Sequence, residues 1–264
     1  MNFSPIITVV ELSHFFLLLT RIAALLFFFP VLSNQAVPSR LKIAFSLLLA
    51  LLFFNLVPPL RGEPLFARGL PEIALVLLSE MVIGMLVGLL AELVFAAVQT
   101  AGQMVGFQMS FAVANVVDPV TSLQVPLMAQ FYYMLAMLLF LAFGAHRWIF
   151  KALAESFSLI PLAGFRPGEG LLELVLRYSS AIFATAVKIS APLMAALLLS
   201  DVSLGVVART APQMNIFIVG MPLKILLGMF LIGFSFPYLA NLLADLYRLL
   251  FNDIMLLLSA ARGL

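Results

Sequence analysis

Cysteine is absent from this 264-residue chain, and histidine occurs only at His14 and His146. Without cysteine neither a disulfide framework nor a thiolate metal site can form. The two histidines lie far apart in sequence, so each reads as a polar helix-end residue, not a ligand or base. Charge is also scarce. Charged residues make up 10% of the chain and hydrophobic ones 64%, against about a quarter and about half in soluble domains. Lipid or a large hydrophobic assembly must therefore cover much of the surface. A net charge of +2 with no basic cluster excludes a nucleic-acid partner, because phosphate binding needs Lys and Arg concentrated on one face. No Gly-x-Ser-x-Gly elbow, His-Glu-x-x-His pair or phosphate-binding glycine loop is present, so neither an enzyme nor a cofactor site is expected.

What is abundant is apolar sequence in lengths that match a bilayer. A core about 30 Å thick needs roughly 20 apolar helical residues. Leu12 to Pro30 and Leu41 to Val57 form a hairpin around a polar turn with Ser33, Asn34, Gln35, Pro38 and Arg40, and Pro58 and Pro59 stop its second helix. The segment before it, Met1 to Val10, has no basic region, so the first run reads as a retained helix and not as a cleaved signal. Pro71 suits the first turn of a third helix running to about Gln99, with Gly84 and Gly88 allowing close helix contact. Leu127 to Ala145 is a fourth span, followed by an interfacial cluster of His146, Arg147, Trp148 and Lys151. A fifth covers Tyr178 to Leu199, interrupted by Lys188 and Pro192, and a sixth covers Ile216 to Phe236, interrupted by Pro222 and Lys224. Tyr238 to Leu258, with Asp245, Arg248 and Asp253, is too polar to face lipid and reads as a continuation or return of the sixth. The fold class is all-α: polytopic membrane hairpins with broken helices, read as one domain over residues 1–264. Lys and Arg fall in loops on both sides, so charge bias sets no orientation.

Arg21, Glu80, Glu92, Lys188 and Lys224 all fall inside apolar segments. A charge there costs several kcal/mol unless it reaches water or a partner. They are expected to face protein or a water-filled passage, the plain alternative being snorkelling from helix ends. Asp201 near Arg209 reads as a structural ion pair before it reads as a proton site. Gly102 to Met109 mixes amides, glycines and soft apolar residues and is expected to be irregular, as is Phe111 to Val117 up to Asp118 and Pro119. Irregular backbone at membrane depth needs protein or a cavity around it. Bulky apolar side chains on such a loop close a pore by excluding water, and the plain alternative is a surface loop.

Three stretches together resemble the FliR family of flagellar export-gate proteins, whose injectisome relatives are called SctT. The first is Arg21, Pro30, Val37, Pro38 and Arg40. The second comprises Gly102-Gln103, Gly106, Gln108-Met109, Asp118-Pro119, Gln124-Val125-Pro126 and Gln130-Phe131. The third comprises Asp201, Leu204-Gly205, Arg209, Ala211-Pro212-Gln213-Met214-Asn215, Phe217, Gly220 and Pro222-Leu223-Lys224. The Ala-Pro-Gln-Met-Asn run is the most specific. In order and spacing the likeness covers almost the whole chain.

The resemblance implies a non-enzymatic subunit of a protein-conducting gate in the bacterial inner membrane, at the flagellar basal body. One copy would join FliP and FliQ in a helical assembly held substantially on the periplasmic side, with FlhB and FlhA docking from the cytoplasm and unfolded export substrates in transit. It also implies a plug loop over Gly106 to Ser122, in which Phe107, Met109, Phe111, Val113, Val116 and Val117 are the sealing candidates. Where family members often carry phenylalanine this chain has valine, so the seal is leakier or leans on partner methionines. The competing reading is a small-molecule secondary transporter, which also uses broken helices and midplane charges but should show related halves and work without partner subunits. An intramembrane enzyme is the third class.

Overall fold

Thr8 and Glu11 start the first helix reciprocally. The Glu11 amide donates to Thr8 Oγ1 at 3.2 Å, and the Thr8 amide donates back to Glu11 Oε2 at 2.7 Å, so two amides at the helix start have partners. This helix, α1 (Val9–Phe28), ends where Phe29 turns extended ahead of Pro30, which opens the single-turn α2 (Pro30–Ser33). A computed structural model describes residues 8–33, 37–60, 63–111, 126–211, 213 and 215–262, and among them every regular element is helical.

The second arm of the expected hairpin is α3 (Ser39–Phe54), which stops short of Val57. Its 16 residues make roughly 24 Å of helix, less than a bilayer core. After a 3-10 turn at Leu65–Ala67, Pro71 sits in the first turn of α4 (Leu70–Gln108). The irregular backbone expected from Gly102 is not found: α4 remains helical to Gln108. Its glycines serve packing instead. A Cβ on Gly102 would lie 2.7 Å from the Met128 carbonyl oxygen, and one on Gly106 would lie 3.1 Å from Met128 Cβ, so both let α4 approach α5 (Leu127–Ala142).

A break at Phe143 and Gly144, where Gly144 takes φ +67, separates α5 from α6 (Ala145–Leu159). The last two helices are the longest, α7 (Leu171–Thr210) and α8 (Ile216–Ala260). Pro192, Pro222 and Pro237 lie inside them, so the interruptions expected at Pro192 and Pro222 do not end either helix. One lost amide per proline costs about 3 kcal/mol, which a ladder of this length absorbs. Tyr238 to Leu258 is therefore the continuation of the sixth segment and not its return. By length and composition α1, α4, α7 and α8 are able to cross a membrane, and the bent pair α5 and α6 makes a fifth span if taken as one.

The chain divides into two compact units: Met1–Leu93 with Gly144–Ser179 and Arg248–Leu264, and Val94–Phe143 with Ser180–Tyr247. In the first, α1 packs on α3 and, through Gly84 and Gly88, on α4. In the second, Phe95, Phe140 and Tyr247 form an edge-on aromatic cluster, and the Tyr247 hydroxyl donates to the Ala136 carbonyl at 3.0 Å. There, Asp201 meets Lys224, while the carbonyl of Lys188, earlier on α7, accepts from Tyr238, later on α8, so these parts of the two helices run antiparallel.

Candidate functional site

Two charged joints organise the units, and they differ in exposure. In the first unit Arg21 and Glu80 form an ion pair at 2.6 Å with both side chains fully buried. The guanidinium also donates to the carbonyls of Ser156 at 3.1 Å and Ile160 at 3.0 Å, and it lies 4.5 Å from the centre of the Phe157 ring. The second carboxylate oxygen of Glu80 accepts from the amide of Ala163 at 2.8 Å, where the backbone takes φ +60. One buried charge pair thereby ties α1 and α4 to the turn after α6. Glu92, half-buried on α4, accepts from Ser33 at 3.5 Å.

The second joint lies at the C-terminal end of α4. Gln108 Nε2 donates to Asp201 Oδ2 at 2.8 Å, and Lys224 Nζ pairs with Asp201 Oδ1 at 2.7 Å. Three helices thus meet on one carboxylate, whose side chain is 40% exposed. The expected pairing of Asp201 with Arg209 is not the one found. Eight residues apart on one helix they are separated by roughly 12 Å of rise, beyond ion-pair reach. Beside the joint, Met109 is fully buried against Gly228, where a Cβ would lie 2.5 to 2.6 Å from three atoms of the Met109 side chain. Lys224 and Gly228 are one turn apart on α8 and so share a face. Ser110 then closes α4 with φ +67.

Among the sealing candidates, Phe107 is 68% exposed, Phe111 is half-buried, and Met109 fills the Gly228 notch. Val113, Val116 and Val117 lie outside the described residues, as do Asp118, Pro119, Gln124, Pro212 and Met214. Pro126 precedes the first turn of α5, and exposed Gln213 and Asn215 link α7 to α8, where the Asn215 carbonyl accepts from Ile218. Pro222, Lys188 and Arg209 are exposed on their helices. His14 is buried in mid-α1 rather than at a helix end, its Nε2 at 3.3 Å from the Phe54 carbonyl. The roles of Gln108 and Gly228 escaped the residue-by-residue reading. Only the glutamine carried a signal, as an amide at the end of a long apolar helix.

Among the described residues no group of three or more His, Cys, Asp or Glu could hold a metal ion. The arrangement is one of helix-joining polar contacts inside an apolar chain. Residues 12–250 match the family model described as bacterial export proteins, family 1. The chain belongs to that family. It is 33% identical to the flagellar biosynthetic protein FliR of Bacillus subtilis over 214 residues, 80% of this chain and 81% of that one. It is 32% identical to FliR of Escherichia coli over 243 residues, 91% of each. A further relative is the surface presentation of antigens protein SpaR of Shigella flexneri, 28% identical over 227 residues, 84% of this chain and 86% of that one. The family member described here is a membrane component of the FliR/SpaR class of export apparatus, not an enzyme.

Proposed function

We propose that this chain is a single-domain, pore-forming subunit of the flagellar export gate, joining FliP and FliQ in the inner membrane and carrying a loop that closes the channel at rest. The observation that carries the assembly is the length of exposed apolar helix. On α7 the exposed large apolar side chains run from Leu172 to Val207. That interval is roughly 53 Å of helix, against about 30 Å of hydrocarbon core. Lipid covers only part of such a face even with tilt, and protein subunits are the natural cover for the rest. That requirement supports protein neighbours, and the family likeness brings to the proposal FliP and FliQ as those neighbours, a position largely on the periplasmic side, and docking of FlhB and FlhA from the cytoplasm. Unfolded substrates would pass through the duct the subunits surround.

Purifying the tagged chain with and without co-expressed FliP and FliQ tests the assembly. A complex of defined mass is expected with them, and a poorly accumulating chain without them. A self-sufficient monomer that moves a metabolite across liposomes would overturn the reading in favour of a transporter. For the plug, removal of Phe111 to Val117 is expected to raise ion conductance through the assembled gate, and unchanged conductance would remove the plug assignment. The polar positions at depth are assigned to holding helices together inside the assembly.

A further inference from the structure

The two charged joints are built to different strengths. Breaking a fully buried pair such as Arg21 and Glu80 leaves an uncompensated charge away from water, so that joint stays shut. The Asp201 carboxylate is 40% exposed while Lys224 is 12% exposed, so water reaches the carboxylate side of the joint and separation costs less than at the sealed pair. Three neighbouring features lower the resistance further. Gln108 contributes one neutral amide to the joint. Met109 is unbranched and flexible, and the glycine it sits against presents no side chain to hold it. Ser110 holds a positive φ that favours glycine, a strain that release of the helix end relieves.

We infer that the Gln108–Asp201–Lys224 joint, with Met109 in the Gly228 notch, is a latch that holds the C-terminal turn of α4 on α7 and α8 at rest and opens during export. The inference rests on the reading of this chain as a subunit lining the export path. A fixed strut would ask for the opposite construction, with a dry pair, a branched side chain and relaxed backbone. The latch assigns Gln108, Asp201 and Lys224 as positioning residues, and it makes the end of α4 the moving part.

The natural absence of cysteine makes a direct test clean. In Met109→Cys/Gly228→Cys the new sulfur at 109 takes the place of Met109 Cγ, which lies 2.6 Å from the site of a Cβ at 228. A disulfide across the notch would lock the latch. In cells carrying the full export apparatus, the oxidised double variant is expected to lose at least nine-tenths of substrate secretion (about tenfold) and to regain it on reduction. Each single variant should secrete to the same extent with and without oxidant, whatever its level relative to the parent. Equal secretion by the oxidised and reduced forms, with the cross-link verified, would overturn the latch. Should secretion persist when the whole chain is deleted, the underlying functional reading fails instead, and the latch falls with it. The second arm is Asp201→Ala, which removes both contacts. Resting ion flux through the assembled complex is expected to rise about tenfold, the value of a latch worth about 1.4 kcal/mol. A merely structural joint would reduce the yield of complex and leave the flux per complex unchanged, which would also overturn it.

Discussion

Glu80→Ala is expected to be among the most damaging single substitutions in the chain, costing about 3–5 kcal/mol because it strands a buried guanidinium. Arg21 has no exposure, and its other hydrogen-bond acceptors are the neutral carbonyls of Ser156 and Ile160 and the hydroxyl of Ser156. None of these balances the charge. The substitution also removes the acceptor for the part-buried Ala163 amide, held at 2.8 Å in a left-handed turn, so a second group loses its partner. Protease resistance and accumulation of the chain in membranes, compared with the parent, measure the loss. Arg21→Met combined with Glu80→Leu should recover a large part of it, because the double change removes both charges together and fills their volume. Wild-type accumulation of Glu80→Ala alone would show that the pair contributes little to the fold.

Gly84→Val should produce a smaller but still substantial loss by a different cause. The first carbon added at Gly84 would fall onto the carbonyl oxygen of Arg21 and lie 3.0 Å from Ala24 Cβ. Backbone cannot rotate aside as a side chain can. The added bulk has to push α1 from α4, and forced overpacking of this kind costs about 1–3 kcal/mol and occasionally more. The shift also moves Arg21 away from Glu80, so this variant and Glu80→Ala should be non-additive, which a double-mutant cycle in the same protease assay reads directly. Gly205→Ala is the contrast. A Cβ there meets nothing within 4 Å, and alanine favours the helix by about 1 kcal/mol, so accumulation should be unchanged or higher. If Gly84→Val matched that outcome, the close approach of α1 and α4 would not be what the glycine provides.

These expectations separate the roles of charges that look alike in the sequence. Arg21, Glu80, Lys188 and Lys224 are all isolated charges in apolar runs, yet the first two are sealed together, Lys224 serves a water-accessible joint, and Lys188 is exposed with its carbonyl engaged by Tyr238. Nothing local distinguishes them, because the partners of Arg21, Glu80 and Lys224 lie on other helices. The same limit explains the misreading of Gly102 to Met109. The two glycines lower helix propensity, but glutamine and methionine favour helix and the fit of Gly102 and Gly106 against α5 fixes it. Likewise Pro222 reads as an interruption of the sixth segment, yet α8 runs through it to Ala260.

Composition and run length alone determined that this protein is helical, apolar and suited to lipid and neighbours. Those properties depend on sums over many residues, and no single contact alters them. The three motif stretches, ordered along almost the entire chain, likewise placed it in its family without any coordinates. Tertiary structure alone decided which charges meet, that Asp201 takes Lys224 and Gln108 in preference to Arg209, and that Gly84 and Gly228 are contact surfaces. Pairings of this kind join residues as much as 139 positions apart, and they follow from how helix faces dock, a geometry that spacing along one chain does not encode.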